Sequence, residues 1–229
     1  MAALLPDMSI KYLQSFMKDV YYLPNIRHFE ACEMLDQIQR FAMRGLKGIR
    51  KGDIIKSDKN LVISLSFFVS LLNRLEIDLE QAIWERFPYK CSYCGNCPCS
   101  CKLEKKLTRQ KIFGDLSKRP KTLFEFQKMF EIIYPSSTRS LEHAGVHFAE
   151  ELGEFSEALW AYRASKSDED FKHVEYEAAD FFSCILAIFN SLNLNLAEEL
   201  SKMYPNNCHA CGNSPCSCNY AMIKNYNAF

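Results

Sequence analysis

Four acidic side chains recur at a spacing that could hold a divalent cation. Glu151 and Glu154 are three residues apart in HFAEELGEFSEALW, and Glu177 and Asp180 repeat this spacing in EYEAADFF. Because residues three apart lie on one side of a helix, two adjacent helices would bring the four carboxylates together. Mg²⁺ prefers oxygen ligands of this kind and commonly binds them together with substrate phosphates. The alternative is a set of solvated surface acids.

A second set of candidate ligands is made of cysteines with the spacing C-x2-C-x4-C-x-C, which occurs twice. Four thiolates this close can surround one zinc ion, and the glycine after each C-x-x-C permits a turn that directs backbone N–H groups at sulfur. An iron–sulfur cluster stays open as an alternative. We name the two sets the first knuckle and the second knuckle and predict one structural zinc ion in each: Cys91, Cys94, Cys99 and Cys101, and Cys208, Cys211, Cys216 and Cys218.

The knuckles belong to an internal duplication. Residues 75–101 and 192–218, compared at an offset of 117, share 11 identities in 27 positions. Cys97 in the first knuckle corresponds to Ser214, so Cys97 is expected to be a spare thiol. Four segments are predicted: the first copy with its knuckle (1–101), a basic linker (102–121), the second copy with the acidic motif and its knuckle (122–218), and a tail (219–229).

Periodicity and composition predict an all-α protein. Gly and Pro number only 8 each in 229 residues, and both disfavour helices. Apolar residues at helical spacing predict a helix over about 139–164, and a largely apolar helix over about 173–193 follows the capping segment SKSDEDF. Its counterpart in the first copy is about 60–75. Each copy is expected to consist of a short helix, two long helices, a short fourth helix and a knuckle.

Charge and hydropathy restrict the partners. Lys and Arg together number 28, as do Asp and Glu, so no net field attracts nucleic acid or an anionic membrane. The longest uncharged apolar stretch, 181–197, is shorter than the roughly 20 residues that a membrane span needs. The N-terminus does not resemble a signal peptide. We expect a cytoplasmic protein. P-loop, dinucleotide-binding, zincin and serine-hydrolase motifs are absent from the sequence.

The acidic motif resembles that of a known superfamily. Glu150-Glu151-x-x-Glu154 and the later Glu177-x-x-Asp180 are similar to the EExxE and ExxD signature of the MazG-like, all-α NTP pyrophosphatases, which include dimeric dUTPases and dCTPases. The resemblance implies an enzyme that hydrolyses an NTP or dNTP to the monophosphate and pyrophosphate with Mg²⁺, as in nucleotide-pool sanitation. The knuckles are not part of the usual pattern.

The resemblance also implies an architecture and roles for the acids. It covers about 122–205 well and about 9–88 weakly, which suggests two tandem MazG-like bundles packed as a pseudo-dimer. Four acids would hold one or two Mg²⁺ ions: Glu151, Glu154, Glu177 and Asp180. Glu150 is a base, a group that supports the ligands, or a surface acid.

Other side chains are candidates for substrate binding. Lys202 and Arg139 could bind phosphate, and Trp160 could stack on a base, although solvated cations and ordinary packing are the alternatives. His147, one turn before Glu151, could hydrogen-bond a ligand carboxylate or be a satisfied, non-catalytic histidine.

The first copy is expected to be degenerate. Glu33 and Asp36 form an acid pair that aligns with the EExxE acids at an offset of 118, one residue more than that of the knuckles. Asn60 and Ile63, however, stand at the positions of Glu177 and Asp180. The first copy would then be a scaffold, and both a homo-oligomer and a monomeric pseudo-dimer stay open. The rival function is a non-catalytic nucleotide-sensing or protein-interaction module of the same fold that uses its zinc knuckles.

Overall fold

The structure, a computed structural model, describes residues 3–104 and 106–226. Within these residues the chain is helical and has no β-strand, which confirms the all-α prediction. Residues 1–2, 105 and 227–229, and with them parts of the predicted linker and tail, lie outside this description. The α-helices are α1 (Ile10–His28), α2 (Ala31–Arg50), α3 (Ile54–Arg74), α4 (Leu79–Arg86), α5 (Leu123–Ile133), α6 (Leu141–Ser165), α7 (Asp168–Ser191), α8 (Leu196–Met203) and α9 (Tyr220–Asn225).

Helix α6 lies close to its predicted range, whereas α3 and α7 begin at Ile54 and Asp168, before the predicted starts of about 60 and 173. Ser167 caps α7 by accepting a hydrogen bond from the backbone N–H of Asp170, so the helix begins within the capping segment SKSDEDF and not after it. Helix α1 was expected to be short, but it has 19 residues and continues through Pro24. In the described part of the chain, no single helix is long and apolar enough to cross a membrane.

The chain forms two compact units whose limits differ from those of the sequence repeats. Unit 1 consists of Met1–Asp78 and Leu196–Phe229, and unit 2 is Leu79–Asn195. Unit 1 therefore contains α1, α2 and α3 of the first repeat with α8 and the second knuckle. Unit 2 contains α5, α6 and α7 of the second repeat with α4 and the first knuckle. The fourth helix and knuckle of each repeat complete the unit built from the other repeat.

Unit 1 is built around α3, which packs against α1, α2 and α8. Helices α2 and α3 approach so closely at Gly48 that a Cβ on this residue would lie 2.7 Å from the backbone nitrogen of Ser57. The approach therefore requires glycine at this position. The side chain of Gln14 in α1 donates to Asn73 Oδ1 at 3.2 Å and to the carbonyl of Ile77 at 2.9 Å. These two bonds tie α1 to the end of α3.

Unit 2 repeats this construction around α7, which packs against α4, α5 and α6. Gln127 in α5 donates to Asn190 Oδ1 at 2.9 Å and to the carbonyl of Leu194 at 2.8 Å. Asn190 and Leu194 follow Asn73 and Ile77 at the offset of 117. The duplication seen in the sequence is therefore present as a shared hydrogen-bond pattern.

Burial gives the residue correspondence between the units. The buried positions of α3 match those of α7 at the offset of 117. For α2 and α6 the offset is instead 110, because the buried residues Met34, Leu35, Ile38, Ala42, Gly45 and Gly48 then correspond to Ala144, Gly145, Phe148, Leu152, Phe155 and Ala158. The acid pair that sequence comparison aligned with Glu151 and Glu154 does not share their position in the bundle. Glu33 instead accepts a hydrogen bond from the backbone of Glu30, which caps α2.

Candidate metal centres

Three acidic side chains of unit 2 converge between two long helices. Glu151 of α6 and Glu177 and Asp180 of α7 each offer an oxygen within 4.8 Å of the others. Helices α6 and α7 are capped at their N-termini by Ser140 and Ser167, and their apolar faces pack together. The acids lie at the edge of that apolar contact, as their spacing predicted.

The convergence leaves carboxylate oxygens without partners. Within the described residues, Glu151 Oε2 and Glu177 Oε2 are buried and form no hydrogen bond. Burial, followed by the charge of Asp180, raises the pKa of Glu177 to about 7. Burial also raises the pKa of Asp180, although an arginine opposes that shift. A buried acid cluster of this kind takes up protons or binds a cation.

The arginine is Arg86 of α4, which sequence analysis did not nominate. Its Nε donates to both carboxylate oxygens of Asp180, at 3.1 and 3.2 Å, and its Nη2 donates to Oδ2. Both side chains are about nine-tenths buried, and the Arg86 guanidinium lies 4.9 Å from the ring centre of Tyr176. The sequence carried a signal for this residue, since its partner at the offset of 117 is the apolar Met203.

Beside the acids lies a histidine–cysteine pair. His147 Nε2 is 3.0 Å from Glu151 Oε1, as the spacing of the two residues suggested, and His147 Nδ1 is 3.5 Å from the sulfur of Cys184. The side chain of Cys184 is buried. Contacts with the Cys184 thiol and the Glu151 carboxylate raise the pKa of His147 to about 11.

The other predicted acids lie further out. Glu154 and Glu150 are exposed, and Glu154 is not among the three acids that converge. Burial, then the charges of Glu151 and Asp180, raises the pKa of Glu154, while His147 and, less strongly, Arg109 lower it. Arg109 belongs to the predicted basic linker and is a further residue that sequence analysis did not single out.

The three predicted substrate-binding residues lie in different surroundings. Lys202 is in α8, which belongs to unit 1, and its Nζ is 2.6 Å from Glu199 Oε1. Arg139 lies just before α6 and donates to the carbonyl of Ala187 at 3.4 Å, while its buried Nε forms no hydrogen bond within the described residues. Trp160 is exposed on α6 and stacks with Arg163.

In each knuckle the four sulfurs lie within 4.8 Å of one another, close enough to hold one metal ion. Zinc–sulfur bonds of about 2.3 Å in a tetrahedron place the sulfurs about 3.8 Å apart. The Cys91–Cys101 and Cys94–Cys99 separations are 3.7 and 4.0 Å. Those of Cys208–Cys218 and Cys211–Cys216 are 4.0 and 3.8 Å. These distances exclude disulfides between the pairs, and no disulfide occurs in the described residues. The spare thiol, Cys97, is exposed and outside the first knuckle.

Backbone N–H groups point at the sulfurs, as the glycine-containing turns predicted. The N–H of Tyr93 donates to Cys91 at 3.4 Å, and that of Ala210 donates to Cys208 at 3.4 Å. Gly95 and Gly212 adopt φ angles of 74° and 70°, which favour glycine. Burial raises the pKa of Cys94, but backbone N–H groups and neighbouring thiols lower it to about 6. In the first knuckle these backbone N–H groups therefore favour the thiolate of Cys94, whereas burial raises the pKa of Cys99 and of Cys101.

In unit 1 two of the three positions of the acidic cluster are apolar, and the third, that of Glu177, is Asn60. Phe41 corresponds to Glu151 at the offset of 110, and Ile63 corresponds to Asp180 at the offset of 117. Phe41 and Ile63 are buried together, with Met203 packed against them. They line a cavity of about 110 Å³, together with Tyr204 and His209. This unit offers no carboxylate at the equivalent position.

Comparison with protein-family models, with curated proteins and with solved structures finds no match to this chain.

Proposed function

We propose that unit 2 contains the active site of a divalent-cation-dependent nucleoside triphosphate pyrophosphohydrolase. The observation that carries the proposal is the convergence of Glu151, Glu177 and Asp180 within 4.8 Å, with two of their oxygens buried and without hydrogen-bond partners in the described residues. The resemblance of their motif to that of MazG-like enzymes supports the triphosphate as the substrate. Cleavage would give a nucleoside monophosphate and pyrophosphate.

The donor set fits Mg²⁺. Three carboxylates supply oxygen ligands, and the orphaned oxygens of Glu151 and Glu177 need a positive partner. When bound, the cation neutralises charge on the phosphates and makes water more acidic. The protein holds these carboxylates on α6 and α7, whose N-termini are capped by Ser140 and Ser167. Glu154, exposed at the edge of the cluster, is in reach of solvent and is our candidate for a further ligand or a base.

Arg86 gives the site positive charge of its own. Its paired hydrogen bonds fix the orientation of Asp180, and the planar guanidinium suits phosphate as well as carboxylate. Arg109 adds a further positive charge that acts on Glu154 and Asp180. We propose that Arg86 positions Asp180 and offsets the negative charge that the triphosphate brings.

One observation favours the rival function, a nucleotide-sensing module without catalysis. The ion pair of Asp180 with Arg86 engages both oxygens of a proposed ligand. If that pair persists with nucleotide bound, only Glu151 and Glu177 are left for the cation, which suits binding better than hydrolysis. The two functions differ in whether bound nucleotide is cleaved.

A pyrophosphate-release screen over normal and modified NTPs and dNTPs, with Mg²⁺, tests the proposal. We expect turnover by the wild-type protein and a loss of at least about 10²-fold in kcat/KM for Glu177→Gln, since a ligand is removed. Glu157→Gln is the matched control, because Glu157 is an exposed acid of the same helix as Glu151. Mg²⁺-dependent nucleotide binding without pyrophosphate release would favour the sensing module, and full activity of Glu177→Gln would reject the site.

A further inference from the structure

Besides the acids and the first knuckle, unit 2 contains a third group of potential metal ligands, which the proposed Mg²⁺ chemistry does not need. His147, Glu151 and Cys184 each offer one ligand atom, and these atoms lie within 4.8 Å of one another. His147 and Glu151 lie on α6 and Cys184 lies on α7. An imidazole and a thiol are poor ligands for Mg²⁺ but good ones for zinc, cobalt and related transition metals.

The separation of the imidazole and the thiol agrees with a shared metal. Bonds of about 2.3 Å to sulfur and about 2.05 Å to nitrogen, at the tetrahedral angle, place the two atoms about 3.6 Å apart. His147 Nδ1 and Cys184 Sγ are 3.5 Å apart. A hydrogen bond gives a similar distance, so a metal position also requires a third ligand. Glu151 supplies it, because its Oε2 is buried and forms no hydrogen bond within the described residues.

The comparison between units supports a role beyond packing. At the offsets that align buried residues, unit 1 has Gln37 in place of His147 and Phe67 in place of Cys184. Glu151 is replaced by Phe41, which stacks on Phe67 with ring centres 6.0 Å apart. The histidine, the cysteine and the carboxylate are thus present together in unit 2, whereas the equivalent positions of unit 1 hold a glutamine and two phenylalanines.

We propose that His147, Cys184 and Glu151 form a binding position for a transition-metal ion such as Zn²⁺ or Co²⁺, next to the Mg²⁺ site and sharing Glu151 with it. Binding requires the thiolate and the neutral imidazole, so the thiol proton and an imidazolium proton pass to solvent. The position does not depend on hydrolysis, and it adds a soft site to the hard one formed by Glu177 and Asp180.

The test is a Co²⁺ titration of the full-length protein with zinc in both knuckles and Mg²⁺ in excess. A Co²⁺–thiolate bond gives a charge-transfer absorption in the near ultraviolet. We expect the wild-type protein to develop this band at about one equivalent of Co²⁺. Cys184→Ser should lose the band, while the matched control Cys32→Ser, which changes a cysteine of α2 outside both knuckles, should keep it. Zinc in solution is measured in parallel, so that exchange at the knuckles is detected.

A second variant keeps the thiol. His147→Gln should bind Co²⁺ at least about tenfold more weakly, because a ligand is lost, and circular dichroism reports whether each variant is folded. A wild-type protein without the band would overturn the proposal, and so would a band that persists in Cys184→Ser, with or without zinc release. The spectrum does not report catalysis, so this proposal and the proposed hydrolase can fail separately.

Discussion

Unit 1 and unit 2 place different side chains at the same positions of similar helices. Where α7 has Asp180 and α4 supplies Arg86, unit 1 has Ile63 on α3 and Met203 on α8. A buried charged pair in one unit thus corresponds to an apolar pair in the other. The hydrogen bonds of Gln14 and Gln127 are nevertheless the same in both units. The helix arrangement is therefore the same in both units, while the side chains at the site differ. The two residues of each pair are alike in polarity: Asp180 and Arg86 are charged, and Ile63 and Met203 are apolar.

The largest expected effect concerns a feature that the units share. Cys94→Ser and Cys211→Ser should each lower the zinc content by one ion per chain and destabilise the unit that holds the altered knuckle, because metal binding is coupled to folding and contributes on the order of 10 kcal/mol in small zinc domains. Elemental analysis and thermal unfolding measure both effects. Cys97→Ser is the control and should keep two ions, and wild-type protein with fewer than one zinc or iron per chain would contradict the assignment of the knuckles as metal sites.

The next effect tests the polarity of the matched pairs. Arg86→Met should destabilise unit 2 by about 3 kcal/mol, because it leaves the buried carboxylate of Asp180 without its partner. Adding Asp180→Ile copies the apolar pair of unit 1 and should restore much of the loss. Denaturant unfolding of the two single variants and the double variant gives the coupling energy. Additive losses would show that the ion pair does not link these positions.

The acid cluster should also carry a stability cost in the absence of Mg²⁺. The pKa of Glu177 is raised to about 7, so the folded state holds a proton that the unfolded chain releases at lower pH. The stabilisation that comes from this bound proton is therefore present at low pH and is lost as the pH rises from about 5 to 8. Glu177→Gln should be more stable than wild type at pH 8 by about 0.5–2 kcal/mol. Thermal unfolding of zinc-loaded protein at several pH values checks this, and an unchanged pH profile would count against the cluster.

The smallest effect is expected at the acids of unit 1. Glu33 and Asp36 are exposed, and Glu33 serves as a capping residue that glutamine can replace. Changing them to Gln and Asn should alter stability by less than about 0.5 kcal/mol and leave kcat/KM unchanged. A loss of 10²-fold in a folded double variant would show that these acids take part in catalysis.

Much of the fold was readable from the sequence because the repeated pattern is strong. The offset of 117 gave the knuckles, the counterpart of α7 and the loss of Glu177 and Asp180 from the first copy. The i, i+3 spacing predicted that four acids converge, and three of them do: Glu151, Glu177 and Asp180, without Glu154. The capping segment that contains Ser167 was recognised, but α7 begins at Asp168, before the predicted start of about 173.

The alignment of α2 with α6 was wrong for a physical reason. Glu33 was compared with Glu151 at an offset of 118, whereas the buried residues match at 110. The difference of eight residues is close to two turns of helix, and an amphipathic helix moved by two turns keeps its apolar residues on nearly the same face. Periodicity alone does not separate the two alignments, and only the positions buried against the partner helix do so.

The assignment of the fourth helices to units was also beyond the sequence. Similarity between α4 and α8 shows that the copies are related, but not which three-helix set each of them packs against. Arg86 was missed for this reason, since it was assigned to the first copy and to a site without carboxylates. Its pairing with Asp180, and that of Met203 with Ile63, would have been a clue, because each partner matches the other in polarity.

The most direct test of the central claim is a count of the Mg²⁺-competed metal sites. Zinc-loaded protein is titrated with Mn²⁺, free Mn²⁺ is followed by electron paramagnetic resonance, and Mg²⁺ is then added in excess. The account predicts one or two bound Mn²⁺ ions that Mg²⁺ displaces, lost in Glu177→Gln and kept when Glu33 and Asp36 are replaced. Mn²⁺ binding that Mg²⁺ displaces and that survives in Glu177→Gln, or wild-type protein that binds no Mg²⁺-displaceable Mn²⁺, would contradict it.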